Sequence, residues 1–145
     1  MKKMKKKNLI LLTLLLVAII IILVATLVVK DNSRSKNQQE RLSKYLEKKA
    51  KYFYEEIYYP QLPNMVDEVD TFLQNFETTG ISLSINVLIE QNTIIEKEAK
   101  ENMVNKDNNT PCDFDNTKAI IYPKTPYDKD SYNIEVRLDC NLINE

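Results

Sequence analysis

Two cysteines, two pairs of aspartates and a run of tyrosines are the residues whose types and spacing could do chemistry here. Cys112 and Cys140 stand 28 positions apart. A C-x-x-C pair would point to thiol redox chemistry or zinc, and this spacing does not. Their even number in an oxidising compartment points to one disulfide, with two free buried thiols as the alternative. Closing a loop of this size stabilises a fold by roughly 3 to 4 kcal/mol in the chain-entropy picture. Asp113/Asp115 and Asp128/Asp130 fall in turn-rich segments, where oxygen ligands one residue apart can share a calcium ion. Neither segment has the glycine and terminal glutamate of an EF-hand loop, so solvated turns are the plainer reading.

Catalysis is poorly provided for. The chain has no histidine, which removes imidazole bases, imidazole metal sites and histidine-dependent triads. Its one glycine, Gly80, excludes a glycine-rich phosphate cradle. Glu55 and Glu56 are neighbours on a helix and cannot face each other across a substrate. Ser82 and Ser84 have no histidine base. The expectation is a protein that is not an enzyme, with no catalytic, cofactor-binding or metal residue assigned and no cofactor. "KYFYEEIYY" offers tyrosines that could stack on sugar rings, but burial of aromatics dominates core energetics. Phe53, Tyr54, Ile57 and Tyr58 are therefore read as packing, with Tyr52 and Tyr59 shielding the edges.

The elements that must position these groups begin with an apolar run. From Leu9 to Val29 the chain carries 21 residues without a charge, and Thr13 and Thr26 are its only polar members. A helix of that length covers roughly 30 Å, a bilayer core. The run is longer than a signal peptide's apolar region, and Ala25 has no small partner two residues away, so an uncleaved anchor is expected. Lys2, Lys3, Lys5, Lys6 and Lys7 place the N-terminus in the cytoplasm and the C-terminal domain outside, in a single-pass cell-membrane protein. The domain organisation read from this is 1–30 lysine cluster and transmembrane helix, 31–60 amphipathic stalk helix, and 61–145 extracytoplasmic domain.

Leu42, Tyr45, Leu46, Ala50, Phe53, Tyr54, Ile57 and Tyr58 recur at spacings of three and four, one stripe of a helix ended by Tyr59-Pro60. Residues 31–41 are either its helical continuation or a flexible linker. A helix from Asn64 to Gly80 follows, capped by Asn64 and closed by Gly80. "ISLSINVLIE" reads as a strand through residues 81–89, or as a short helix starting at Ser84. Thr93 and Glu96 form a capping box for a helix with Ile95, Ala99 and Met103 on its apolar stripe. "TKAIIY" and "SYNIEVRLDC" are strands of a C-terminal antiparallel β-hairpin. In the second, Tyr132, Ile134, Val136, Leu138 and Cys140 face inward, and Asn133, Glu135, Arg137, Asp139 and Asn141 outward. The fold class is α+β.

Charge divides unevenly. Residues 31–51 hold seven basic and three acidic side chains, a net +4, and residues 52–145 hold seven and 18, a net −11. An acidic domain of this kind is a poor partner for nucleic acid. The partners expected are the lipid bilayer and other protein subunits, and no small-molecule substrate is identified.

A long apolar N-terminal helix, its amphipathic extension and a cysteine-bounded terminal segment, "PCDFDNTKAIIYPKTPYDKDSYNIEVRLDC", resemble type IV pilins and pseudopilins. The segment is similar to the C-terminal part of pilin-like proteins of low-GC Gram-positive bacteria. The resemblance implies a helix packed in the core of a surface or secretion assembly, with the sheet facing outward. "KKKNLILLTLLL" lacks the glycine and glutamate of the pilin leader, so leader processing and that glutamate's pairing do not carry over. A sensor or accessory subunit that binds a ligand or partner is the alternative.

Overall fold

A computed structural model describes residues 6–106 and 108–141, without the side chains of residues 6–14, 28–29 and 31–34. The chain divides into two compact units, Met1–Asn37 and Gln38–Glu145. Helix α1 runs Lys6–Tyr52. Its backbone is helical through residues 31–41, which resolves the choice between helix and flexible linker.

The transmembrane expectation is corrected. Among the described residues no helix is long and apolar enough to cross a membrane. The side chains described within the apolar run are those of residues 15–27. The transmembrane helix is thus removed from the fold class. The single-pass location, with a cytoplasmic N-terminus and an outer C-terminal domain, goes with it. Lys2, Lys3 and Lys5, on which the orientation rested, lie outside the described residues.

In the second unit the i, i+4 stripe of α1 packs as its spacing requires. Leu42, Leu46 and Ala50 are fully buried, and Phe53 and Tyr54 continue the line. The helix does not stay α-helical to Tyr58. Phe53–Tyr58 widens into a π-helix, followed by a 3-10 turn Tyr59–Gln61. Pro60 has no N–H to continue the ladder, so this is where the helix stops.

The helix expected from Asn64 to Gly80 is broken in two. α2 spans Leu62–Met65 and α3 spans Val69–Gln74, with Val66 extended between them. Asn64 lies inside α2 and caps nothing; Glu68 precedes α3 and accepts from the Thr71 hydroxyl at 2.9 Å. Met65, at the end of α2, is exposed. Gly80 does close the region as expected: its N–H donates to the Phe76 carbonyl at 2.9 Å and its φ is +72°. A Cβ there would collide with the Ile120 side chain and come within 2.9 Å of the Tyr122 ring.

Both readings of "ISLSINVLIE" hold over different residues. β1 is Ile81–Ser84 and α4 is Ile85–Glu90, with Ser84 accepting from the Val87 N–H at 3.2 Å as its N-cap. α5 is Glu96–Asn102, and its N-cap is Ile95, not Thr93. Ala99 and Met103 of the expected apolar stripe are buried, but Ile94 is buried in place of Ile95, which stays exposed. The loop before Cys112 contains a two-stranded ribbon, β2 Val104–Asn105 with β3 Thr110–Pro111.

The C-terminal hairpin stands as read: β4 Lys118–Pro123 pairs antiparallel with β5 Tyr132–Arg137. β1 pairs with the other side of β4, so the sheet has three strands in the order β1-β4-β5. β4 is central and its Ala119, Ile120 and Ile121 are buried. Leu83, Ala119 and Val136 share one row of the sheet, as do Ile81, Ile121 and Ile134. Those rows face the stripe of α1, and the core lies between them. A proline ends the central strand without breaking it, because β1 stops at Ile81 and offers Pro123 no partner on that side.

Candidate functional site

The two cysteines form the disulfide Cys112–Cys140, with both residues buried. The bond ties the β2–β3 ribbon to the segment after β5. Around it the backbone is hydrogen-bonded. The Cys112 N–H donates to the Met103 carbonyl at 3.0 Å and the Asp113 N–H to the Asp139 carbonyl at 2.7 Å. Buried Thr117 bridges the same place, since its hydroxyl oxygen accepts from the Asp139 N–H at 3.0 Å.

The aspartate pairs are engaged in turns. Asp113 Oδ1 accepts from the Asp115 and Asn116 N–H groups, both at 2.9 Å, and Oδ2 from the Asn116 amide at 3.0 Å. The Asn116 and Asp115 N–H groups hold this carboxyl below the usual aspartate range. Asp115 accepts from the Asn86 amide at 2.6 Å. Asp128 and Asp130 are exposed in the β4–β5 turn. Among the described residues no group of three or more histidine, cysteine or acidic side chains is placed to hold a metal ion.

The other sequence candidates are dispersed. Ser84 caps α4, and Ser82 is exposed on β1 opposite Ile120. Glu55 accepts from the Tyr132 hydroxyl at 2.6 Å, whereas Glu56 faces Lys129 at 3.8 Å. The tyrosines pack: Tyr54 is fully buried and meets Tyr132 edge-on, with ring centroids 5.1 Å apart. Burial pushes the phenols of both residues well above the ordinary tyrosine value. Tyr59, read as an edge shield, is also a donor, its hydroxyl bonded to the Tyr127 carbonyl at 2.9 Å.

Sequence reasoning missed a polar clasp between α1 and the ribbon. Arg41 donates to the carbonyls of Asn102 and Val104, both at 2.8 Å, and to Gln38 Oε1 at 3.1 Å. Gln38 donates in turn to Asn105 Oδ1 at 3.3 Å, and Asn105 to the Asn141 carbonyl at 3.1 Å. The one available signal was Arg41's place beside Leu42, on the flank of the apolar stripe.

Among the described residues of this unit, two surface features stand out beside the disulfide and the sheet. One is a cavity of about 640 Å³ beside the disulfide, lined by Lys100, Glu101, Val104, Asn109, Cys112 and Phe114 among others. The other is the outward row of β5. There Arg137 Nε donates to Glu135 Oε1 at 2.7 Å and the Tyr122 hydroxyl to Glu135 Oε2 at 3.2 Å. The Arg137 hydrogen bond holds the Glu135 carboxyl below its usual range, and the Arg137 guanidinium is raised in return. The row carries charges of both signs beside a tyrosine hydroxyl. No protein family, curated protein or solved structure matches this chain.

Proposed function

We propose that this chain is a structural or interaction protein, pilin-like in layout, that works as one subunit of a protein assembly. The observation that carries the reading is the apolar stretch of α1. Every large side chain described between Leu15 and Leu27 is between 45% and 62% exposed. A contiguous apolar surface of that kind marks a contact surface, because leaving it in water is costly. The folded Gln38–Glu145 unit, with its buried stripe, disulfide and three-stranded sheet, is the part this subunit would present.

The test is site-specific photocrosslinking from position 20 or 23 in the full chain, in the organism that makes it. Adducts to protein are expected. Labelling of lipid alone, with no protein adduct, would overturn the subunit reading.

The cavity beside Cys112 favours a second reading, a sensor or accessory subunit that takes a ligand. Its largely apolar lining, to which Lys100 and Glu101 both contribute, would suit a small apolar molecule with a polar group. A ligand that raises the melting temperature of the protein, and fails to do so after Lys100→Ala, would favour this reading over the first.

A further inference from the structure

β5 leaves one edge of the sheet open among the described strands. β5 is the last strand of the sheet, and β4 is its one neighbour among the described strands. The direction of its backbone groups follows from one bond. The Lys124 N–H donates to the Ser131 carbonyl at 2.8 Å, which extends the β4–β5 register by one pair beyond Pro123↔Tyr132. Antiparallel ladders alternate bonded and non-bonded pairs. Ser131, Asn133, Glu135 and Arg137 therefore turn their N–H and C=O groups toward β4. Tyr132, Ile134, Val136 and Leu138 turn theirs to the open edge. Asp139 fits the same alternation, since its N–H and C=O are bound on the β4 side by Thr117 and Asp113.

Exposed strand edges are templates for pairing, and proteins commonly block them with charged side chains, prolines or very short strands; charges of both signs, by contrast with a run of one sign, can be complemented by a second copy. The β1 edge is short, four residues between Gly80 and α4. The β5 edge has six residues, no proline, and charges of both signs. We propose that two copies of this chain pair antiparallel through β5, about a two-fold axis at Val136, to make one continuous six-stranded sheet. The proposal rests on the reading of the chain as an assembly subunit and names one of its partners.

Charge selects the register. The edge groups belong to even-numbered residues, so registers centred on Ile134, Glu135 or Val136 are compatible with backbone pairing. A centre at Glu135 sets Glu135 directly against its copy, which is repulsive. A centre at Ile134 sets Asn133 against Glu135 and leaves Arg137 without an acid. A centre at Val136 sets each Glu135 opposite the other copy's Arg137, twice by symmetry. It also pairs Val136 with Val136 and Ile134 with Leu138 on the inner side. Glu135 and Arg137 are exposed and already bonded to each other within one strand, so exchanging partners across the axis leaves neither charge stranded.

The test uses two differently tagged full-length chains, one carrying Glu135→Cys and the other Arg137→Cys, mixed and mildly oxidised. Facing residues of a non-bonded pair have Cα atoms about 4.5 Å apart, within reach of a disulfide, and diagonal positions are about 7–8 Å apart. The mixed 135–137 crosslink should exceed both the 135–135 and the 137–137 crosslinks several-fold, with the melting temperature of each variant unchanged. Absence of a mixed crosslink, or a 135–135 crosslink of equal yield, would overturn the pairing. If position 20 still crosslinks to protein while the 135–137 bond fails, the subunit reading survives and the β5 interface does not.

Discussion

Helix α1 contains two apolar stretches built from the same residue types, and they meet opposite environments. Between Leu15 and Leu27 the apolar residues are consecutive, they point all round the axis, and each large one is about half exposed. Between Leu42 and Tyr54 they recur every fourth residue, and Leu42, Leu46, Ala50 and Tyr54 are fully buried. Lys44 and Lys48 lie on the other faces and remain in water. A helix can be covered by its own chain only along a stripe. A run with no polar face exceeds what one small sheet can cover. Hydrophobicity decides that a segment needs cover, and its period decides whether the same chain supplies it.

The comparison breaks if substitutions in the two stretches behave alike. Leu46→Ala leaves a cavity in a closed core and should cost about 4 kcal/mol. Ile20→Ala removes a side chain that is 57% exposed and should leave the unfolding free energy within about 0.5 kcal/mol. Chemical denaturation of both full-length variants decides it, and equal losses would mean the first stretch is packed as well.

The disulfide belongs to the second region's core, and its two ends should be worth the same. Cys112→Ser and Cys140→Ser each remove one covalent link closing a loop of 28 residues. Each should lower stability by between about 3 and 4 kcal/mol. Alkylation of the unreduced native protein should find no thiol. A marked inequality between the two variants would show that packing around one sulfur, not the crosslink, carries the effect.

What was legible in the sequence divides along the same line. The i, i+4 stripe of α1 and the alternation of β5 were readable because burial on one face forces a period, and Leu46 and Val136 obey it. The breaks were not readable. Nothing local warned that Val66 would turn extended inside an otherwise helical pattern, because tertiary packing overrides weak helix propensity. Thr93 and Glu96 spelled a capping box, yet the chain starts α5 at Ile95 and buries Ile94, so a capping motif lost to a core contact. The transmembrane helix was read from 21 apolar residues, and among the described residues no helix is long and apolar enough to cross a membrane. Of the candidate site, the cysteine pairing was read from an even count and an expected oxidising compartment; the bond is present, but the location that reading leaned on is not supported. The Arg41 clasp and the β5 edge were not, since both depend on which backbone groups remain free once the fold has closed.

Within the hairpin the comparison repeats on a smaller scale, between the two faces of one strand. Val136 is half-buried and Arg137 exposed. Val136→Asp places a charge beside Ala119, its cross-strand neighbour on the inner face, and should cost about 2 kcal/mol. Arg137→Asp should change the fold by no more than about 0.5 kcal/mol. Equal thermal damage would mean the strand register is wrong, and the β5 interface would fall with it.

The finest version of the comparison sets two tyrosine hydroxyls against each other. The Tyr132 hydroxyl donates to Glu55, whereas the Tyr54 hydroxyl is buried without a partner. Tyr132→Phe should therefore cost about 1 kcal/mol, the net value of one hydrogen bond, and Tyr54→Phe should be neutral or slightly stabilising. Alkaline pH reports on the same groups. Both phenols ionise above the ordinary tyrosine value of 10.0 because burial disfavours the phenolate, and Glu55 adds to this at Tyr132. Above pH 10 the unfolded chain has released these protons and the folded chain has not, so stability falls as pH rises. Below pH 10 the contribution is fully present. The wild-type protein should lose stability progressively from about pH 10 upward, and Tyr54→Phe should make that loss shallower by removing one of the raised tyrosine titrations, which also include Tyr45, Tyr58, Tyr59 and Tyr127. A pH–stability profile that is unchanged in Tyr54→Phe would place the Tyr54 hydroxyl in water, and the buried end of the α1 stripe would have to be redrawn around it.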